Sequence, residues 1–392
     1  MGLVPDAPQV AGAATMPPPA GSRVALLAPM TGQNADVAQG IVNAAKLGLG
    51  AQGAASLDVL DTGGTPQGAA AAAQKAIADG AGLILGPLTG PEAAAVAPIA
   101  GSAHVAVLAF TSDAAQARPG VWTLGITPAQ QVHALIQAAS AEGHGQFAGL
   151  LPETPLGEAM SDALQREAGA GGSAPSIQTY GAGSFSAMNG ALRSLSDYAG
   201  RRGPIDAQIK QLRTAHTAAG RQEAAKLERQ GVPPAPFNAL LVAESAQGLG
   251  ELSSLLPYYD VNPGPVLILG PGLWAGNPGA IASAGFSGAL YAAPDPAAAT
   301  AFVSSYAASY GGPPSPLDAL AFDAAAIARV TTANGHVEPA ALTNPQGFSG
   351  ADGVLALQPD GSVKRGLAVF RVQPGGAAIA QPAPTSLATP GS

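Results

Sequence analysis

Short apolar runs alternate with helix-length segments along most of this chain. Val24 to Ala28, Leu57 to Leu60, Leu83 to Leu85 and Val105 to Phe110 are too short to be buried helices. They also lack polar alternation, which predicts strands covered on both faces. The segments between them carry helix punctuation. Thr65 reads as an N-cap with Pro66 behind it and Gly80 as the stop, and Gly90-Pro91 opens another helix. A further helix is expected from about Ala35 to Leu49. The order β-α-β-α-β-α-β predicts a doubly wound parallel sheet with right-handed connections.

A second series follows. Val121 to Ile126 leads to Thr127-Pro128 and a helix reaching about Ser140. Strands are expected at Gln146 to Leu151, Ser176 to Tyr180, Asn238 to Ala243 and Val266 to Leu269, with helices between them. Beyond Trp274, the pattern predicts a strand at Gly288 to Ala292 and helices at Pro296 to Tyr310 and Leu317 to Thr332, the last stopped by Asn334-Gly335. Gly353 to Val372 alternates around Pro359-Asp360-Gly361 and predicts a β-hairpin.

The expected architecture is therefore α/β: two doubly wound, Rossmann-like lobes joined by three crossovers around a cleft. Residues 1–22 read as a disordered Pro/Ala tether, of the kind that follows a removed targeting segment, or as a ragged N-terminus. Lobe 1 is expected to comprise 23–126 and 288–345, and lobe 2 to comprise 127–287 and 346–373. Residues 374–392 read as a disordered Pro/Gly/Ala tail. One stretch interrupts lobe 2. Residues 201–230 hold seven of the chain's 17 basic residues, with Ile205, Ile209 and Leu212 at helical spacing. This predicts a projecting helical insert. Arg201, Arg202, Lys210 and Arg213 are its candidate partner contacts, and a solvated helix with salt-bridged faces is the plainer alternative.

Charge and chemistry narrow the function. A net charge of −8 argues against nucleic acid as a main partner. No apolar run approaches the roughly 20 residues of a membrane span. The absence of cysteine excludes disulfides, thiolate metal sites and thiol nucleophiles. The five histidines are scattered without metal-ligand spacing, and no cofactor is indicated. Gly48-Leu49-Gly50-Ala51-Gln52-Gly53 spells a dinucleotide fingerprint but lies at a helix end, where its mechanism is missing. Asp58 and Asp61 flank a strand end and read as turn residues more readily than as a catalytic pair. No enzymatic activity is expected.

Binding has better support. In open parallel sheets, ligands lie beyond the strand carboxyl ends. Thr31, Thr89, Thr111 and Ser112 all follow apolar strands, and Gly90 opens a helix whose first N–H groups are free. Each hydroxyl taken singly also fits an ordinary N-cap. From lobe 2, Glu244 follows a strand and could face an ammonium group or serve as a first-turn acid. Trp274 reads either as an apolar cleft wall or as packing under a loop.

The succession Val24 to Gly32, Asp61-Thr62-Gly63-Gly64-Thr65, Ile84 to Thr89 and Val107 to Thr111 resembles the first lobe of type I periplasmic binding proteins of the leucine-binding kind. Asp318 to Ala324 and Gly347 to Gly353 match that family's later part. Gly86 to Gly90, Leu124 to Pro128, the basic insert and Leu269 to Trp274 resemble most closely the penicillin-binding-protein activators, which are lipoproteins. The resemblance covers about residues 23 to 373. It implies a periplasmic, non-enzymatic binding protein, anchored to the outer membrane by lipid in the activator branch. Its partner would be a penicillin-binding protein or, in the solute-receptor branch, an ABC permease. The resemblance also implies an amino-acid-like ligand held by the loops at Thr89 and at Ala109 to Thr111, with Glu244 opposite. Two positions depart from the family pattern. Leu156 stands where relatives carry tyrosine, and Phe110, at the ligand loop, would partly fill the pocket.

Overall fold

The computed structural model describes residues 21–387 other than 22, 173, 230, 283, 333–336 and 338. The expected N-terminal tether (apart from Gly21), the end of the insert at Gln230 and the Asn334-Gly335 stop fall outside the described residues, as do residues 388–392.

The first sheet contains β1 (Arg23–Ala28), β2 (Asp58–Asp61), β3 (Ala81–Leu85), β4 (Ala106–Ala109) and β5 (Val121–Thr123), in the order β2-β1-β3-β4-β5 and parallel throughout. α1 (Ala35–Ala55), α2 (Pro66–Ala78) and α3 (Gly90–Ser102) connect the first four strands. Strand residues alternate between two cores. Val24, Leu26, Leu83 and Leu85 pack on the α1 side, while Ala25, Leu27 and Ile84 pack on the α2/α3 side. Burial of both faces is why these runs are continuously apolar.

The chain then enters the second lobe through α4 (Pro128–Ala141), β6 (Phe147–Pro152), α5 (Pro155–Ala170), β7 (Ser176–Tyr180) and α6 (Phe185–Leu195). α7 (Tyr198–Thr214) and α8 (Ala218–Arg229) follow, then β8 (Ala239–Val242), α9 (Ala246–Tyr258), β9 (Leu267–Gly270), α10 (Pro278–Ile281) and β10 (Leu290–Ala293). Two helices cover the first lobe, α11 (Pro296–Tyr310) and α12 (Pro316–Thr331). The rest is α13 (Pro339–Leu342), β11 (Phe348–Gly350), β12 (Gly353–Leu357), β13 (Val363–Arg365), β14 (Ala368–Gln373) and β15 (Gly376–Gln381).

Three boundaries differ from the sequence expectation. β10 belongs to the second sheet, whose order is β15-β14-β10-β9-β8-β6-β7. Leu290 and Tyr291 pair in parallel with Leu269 and Gly270, so the return to the first lobe comes after Ala293 and not at 288. Residues 348–365 form a small antiparallel sheet whose Leu355, Leu357 and Val363 pack into the first lobe's core. Only β14 crosses to the second lobe, antiparallel to β10, so the hairpin ends at β13. The supposed disordered tail contains β15, which pairs with β14 from Val369 to Gln373. Its small uncharged residues suit an edge strand, and the flanking prolines, which hid it, lie outside the paired segment.

The crossovers are therefore 124–127, 294–295 and 366–367. The first two leave from strand carboxyl ends, at β5 and β10. The insert is a two-helix hairpin. Ile209, Ala224 and Leu227 form its core, with Ile205 and Leu212 against them, and His216 turns the chain with φ 49°.

Candidate functional site

The loops at the carboxyl ends of the strands carry the expected polar residues, and all of them but Ser112 are already bound within their own lobes. Thr31, after β1, gives its N–H to Asp61 Oδ1 at 3.1 Å and its hydroxyl to Asp61 Oδ2 at 2.6 Å. Asp61 also accepts the Gly63 amide at 2.8 Å. The Thr31 hydroxyl first, then the Gly63 amide, hold this carboxyl below its usual range. Asp58 turns the other way, to Arg23 at 2.6 Å, so the two aspartates form no pair.

At α3, Thr89 and Glu92 make a reciprocal capping box. Glu92 Oε2 accepts both the Thr89 N–H, at 3.0 Å, and the Thr89 hydroxyl, at 2.8 Å. Glu92 is 0% exposed, and its Oε1 has no partner. Both Thr89 donors that would meet a ligand carboxylate are thus occupied by the protein's own carboxylate. Gly90 packs so closely on the loop after β4 that a Cβ there would lie 2.7 Å from Asp113 Oδ2. A second carboxylate therefore sits beside the start of α3. Asp113 is held by the Ala115 amide at 3.0 Å and by Gln116 Nε2 at 2.9 Å.

The β4 loop is buried deeper than its ligand role requires. Ala109 is 0% and Phe110 3% exposed, and Phe110 packs in the first lobe's main core. The Phe110 amide donates to the Pro87 carbonyl at 2.9 Å, beside the cis Gly86–Pro87 bond. Neither side chain offers a face to a ligand, which corrects their assignment as contacts. Thr111 is buried, and its Oγ1 accepts the Asp113 amide at 3.0 Å. Ser112 is exposed.

In the second lobe Glu244 is half-buried and turned inward. Tyr180 donates its hydroxyl to Glu244 Oε1 at 2.5 Å, and the carboxylate lies over Gly248, where a Cβ would not fit. Burial, then the bond to Glu244, raises the Tyr180 pKa, so this proton stays on tyrosine. Trp274 is 1% exposed and belongs to the core, against Gly270, Phe286 and Tyr291. Its indole N–H donates to the Glu244 carbonyl at 3.1 Å. Of the two readings left open for Trp274, packing under the loop is the correct one, and the cleft-wall assignment fails.

Arg201 is corrected as well. It is 8% exposed, and its Nε, Nη1 and Nη2 donate to the carbonyls of Ser196, Pro233 and Tyr259 at 2.7, 2.8 and 2.7 Å. It fastens the hairpin to the lobe and is closed to a partner. Arg202, Lys210 and Arg213 remain on the outside. With Asp206, Ile209, Thr214, His216 and Glu228 they line an open cavity of about 520 Å³. Arg202 pairs with Asp206 at 2.8 Å and Arg213 with Glu228, while Lys210 has no ion pair among the described residues.

Sequence reasoning missed the acids that close these loops. Thr89-Pro91-Glu92 spelled the capping box, since glutamate stands three residues after the N-cap. Asp61 reads from the sequence as a turn residue. Nothing local marks Tyr180 as the partner of Glu244, 64 positions away. Among the described residues no group of three or more side chains has the makings of a metal site, and no helix is long and apolar enough to cross a membrane.

Residues 22–195 match the family model described as periplasmic binding protein. No curated protein matches in sequence. Among solved structures, one assigned to a branched-chain amino acid ABC transporter of Rhodospirillum rubrum superposes with a TM-score of 0.68 at 18% identity, covering 91% of this chain and 99% of the other. An ABC transporter substrate-binding protein of Desulfitobacterium hafniense, in complex with Leu, gives 0.60 at 16% identity over 91% and 98%. The C-domain of Haemophilus influenzae LpoA, a regulator of PBP1A, gives the same TM-score of 0.60 at 16% identity over 91% and 99%. The chain thus has the two-lobed fold of the type I, leucine-binding-like periplasmic binding proteins, and its residues 22–195 carry that family's sequence pattern.

Proposed function

We propose that this chain is a non-enzymatic, extracytoplasmic regulator that works through protein contacts, with a penicillin-binding protein as its partner and the α7–α8 hairpin as its contact surface. One observation carries the reading. The anchors that would hold an amino acid are bound within their own lobes: Thr89 to Glu92, Thr31 to Asp61, Thr111 to the Asp113 amide, and Glu244 to Tyr180. Binding an α-carboxylate at α3 would bring it beside Glu92 and Asp113, and like charges at that range oppose binding. The cleft is then a retained architecture, and lipid anchoring outside the membrane span is the matching localisation. The resemblance to the LpoA C-domain supports the same reading without carrying it.

The hairpin supplies a surface of the opposite character. It is basic on a protein of net charge −8, and Lys210, without an ion pair among the described residues, stands beside a concave face. The expected outcome is binding to a penicillin-binding protein ectodomain that weakens at least tenfold when Arg202, Lys210 and Arg213 are all changed to glutamate. Binding that survives this change sinks the hairpin assignment.

A solute receptor of an ABC importer, for amino acids or similar small polar molecules, is the second reading. Exposed Ser112 and the free hydroxyl hydrogen of Thr111 favour it, because they are the cleft donors left for a ligand. That reading requires an amino acid to raise the melting temperature through linkage. A shift of several degrees with leucine or a related solute would overturn the regulator proposal.

A further inference from the structure

A buried charge cluster at the hinge belongs neither to the cleft nor to the hairpin. Arg365 ends β13, at the start of the third crossover, and its side chain is 0% exposed. Its Nη2 donates to the carbonyl of Leu124, in the first crossover, at 2.8 Å. Gln130 of α4 reaches Val363 across the same seam, with Nε2 donating to the carbonyl at 2.6 Å. The first and third crossovers are thus fastened to each other through β13.

The charge on Arg365 is balanced loosely. Its Nη1 lies 4.0 Å from Asp323 Oδ2 and 4.0 Å from Asp352 Oδ2, beyond hydrogen-bond reach. Its Nε has no acceptor. Asp323, on α12, accepts the amides of Ala351 at 2.5 Å and Asp352 at 3.3 Å. Gly350 presses against its carboxylate with no room for a Cβ. Two carboxylates therefore share one guanidinium in a largely buried site. With both ionised, the cluster carries an excess negative charge, which a low-dielectric site disfavours. Burial first, then the charge of Asp352, pushes Asp323 up to about 7, and burial raises Asp352 as well.

Among the described residues no other ionisable group faces Asp323. Asp318, earlier on α12, is turned to Ser315 and to Tyr306 of α11. Lys46 of α1 and Lys364 of β13 are exposed, and β3 and α13 contain no ionisable residue.

We propose that this cluster is a proton-controlled latch on the hinge. With one of the two carboxylates protonated, Arg365 stays seated on the Leu124 carbonyl and the lobes keep one orientation. When that proton leaves to solvent, both carboxylates attract Arg365, which moves off the carbonyl and frees the seam. The latch is independent of whether the cleft holds a ligand or the hairpin a partner.

The absence of native cysteine makes a direct test simple. Gln74→Cys on α2 and Gln165→Cys on α5 place spin labels on exposed sites of the two lobes of the full chain. The interlobe distance distribution should be narrow at about pH 5.5 and broader at about pH 8.5, the change centring on the Asp323 titration. Asp323→Asn should keep it narrow at both. Asp352→Asn, which removes the same excess charge, should do likewise and serves if the first variant does not fold. A distribution in the unsubstituted protein that ignores pH, or a response retained in the Asn variants, overturns the latch. Stability provides a separate readout. The folded-state pKa of Asp323 lies above the unfolded value, so its contribution is full at acid pH and is lost as pH rises through about 7. The unfolding constant should rise by up to roughly tenfold per pH unit between the unfolded value of 3.8 and about 7, and Asp323→Asn should lose the slope. Loss of the slope with a distance distribution that never responded to pH would leave a structural cluster and no latch.

Discussion

The rim of the cleft and the α7–α8 hairpin treat their polar side chains in opposite ways. At the rim, every anchor but Ser112 is tied to a neighbour in its own lobe: Thr31 to Asp61, Thr89 to Glu92, Glu244 to Tyr180. On the hairpin, Arg202, Lys210 and Arg213 reach outward around an open cavity, and the ion pairs of Arg202 and Arg213 run between solvent-accessible side chains. A hydrogen bond kept inside the lobe competes with any ligand that would replace it, whereas an exposed ion pair is worth little and is exchanged at little cost. The difference separates a surface that holds the fold together from one that is free to bind. Two residues lie on the wrong side of this division when placed by sequence: Trp274 and Arg201.

Substitutions at those two residues give the largest expected effects. Trp274→Ala removes a fully enclosed indole from between Phe286 and Tyr291 and strips the donor from the Glu244 carbonyl. The expected loss is about 3–5 kcal/mol in chemical denaturation. A loss below about 1 kcal/mol would place the side chain at a surface and reopen the cleft-wall reading. Arg201→Met keeps the aliphatic stem but leaves the carbonyls of Ser196, Pro233 and Tyr259 without their donor. About 3 kcal/mol of stability should go, with protease cleavage appearing at the root of the hairpin. If this variant is as stable as the parent, the hairpin is not fastened through Arg201.

These two errors show what the sequence carries and what it does not. The first sheet was legible because its strands are buried on both faces and its helices open with Thr65-Pro66 and Gly90-Pro91, which are local signals. β10 was misplaced because its sheet membership is decided by pairing partners 21 to 81 positions away, Leu269 and Arg371 for Leu290, whereas β15 pairs locally, 3 to 12 positions from β14, and was hidden by the prolines that flank it. The positions of the candidate site could be read from strand ends. Its state could not, because an acid such as Glu92 or Asp113 reads the same whether it closes a loop or lines a pocket. Arg201 and Lys210 are both basic residues in a polar stretch, and only the fold decides which one is covered.

A smaller effect tests the closed rim. Glu92→Gln keeps one oxygen to accept from Thr89 but loses the charge that favours the start of α3 and puts an amide where Oε1 has no partner. The expected cost is about 1 kcal/mol. If the rim is closed by this carboxylate, the variant should also bind an α-carboxylate ligand better than the parent does, read as a larger thermal shift with leucine. An unchanged response to leucine would mean that Glu92 is not what bars the site. Asp61 gives the pH counterpart. Its folded pKa lies below the ordinary carboxylate value of 3.8, so its contribution is present above that value and is lost as pH falls through the folded pKa. Asp61→Asn should flatten stability below about pH 4, and only slightly, because the carboxylate is exposed.

The smallest effect on stability is expected on the hairpin, where it discriminates best. Lys210 is exposed and unpaired among the described residues, so Lys210→Glu should change stability by less than about 0.5 kcal/mol. Its neighbours Arg202 and Arg213 already face Asp206 and Glu228, so the new carboxylate reverses the one charge that lacks a counter-ion in the cavity. A partner that binds here through acidic groups must respond in two ways. Affinity should fall with the substitution, and the parent's affinity should fall with salt as the Debye length shortens from about 10 Å at 0.1 M towards 3 Å at 1 M. Association should slow more than dissociation quickens, as expected for a charge that steers encounter. If Lys210→Glu instead destabilises the fold by as much as Arg201→Met, the hairpin's outward charges are structural too. The contrast between rim and hairpin then disappears, and with it the reason for placing the partner there.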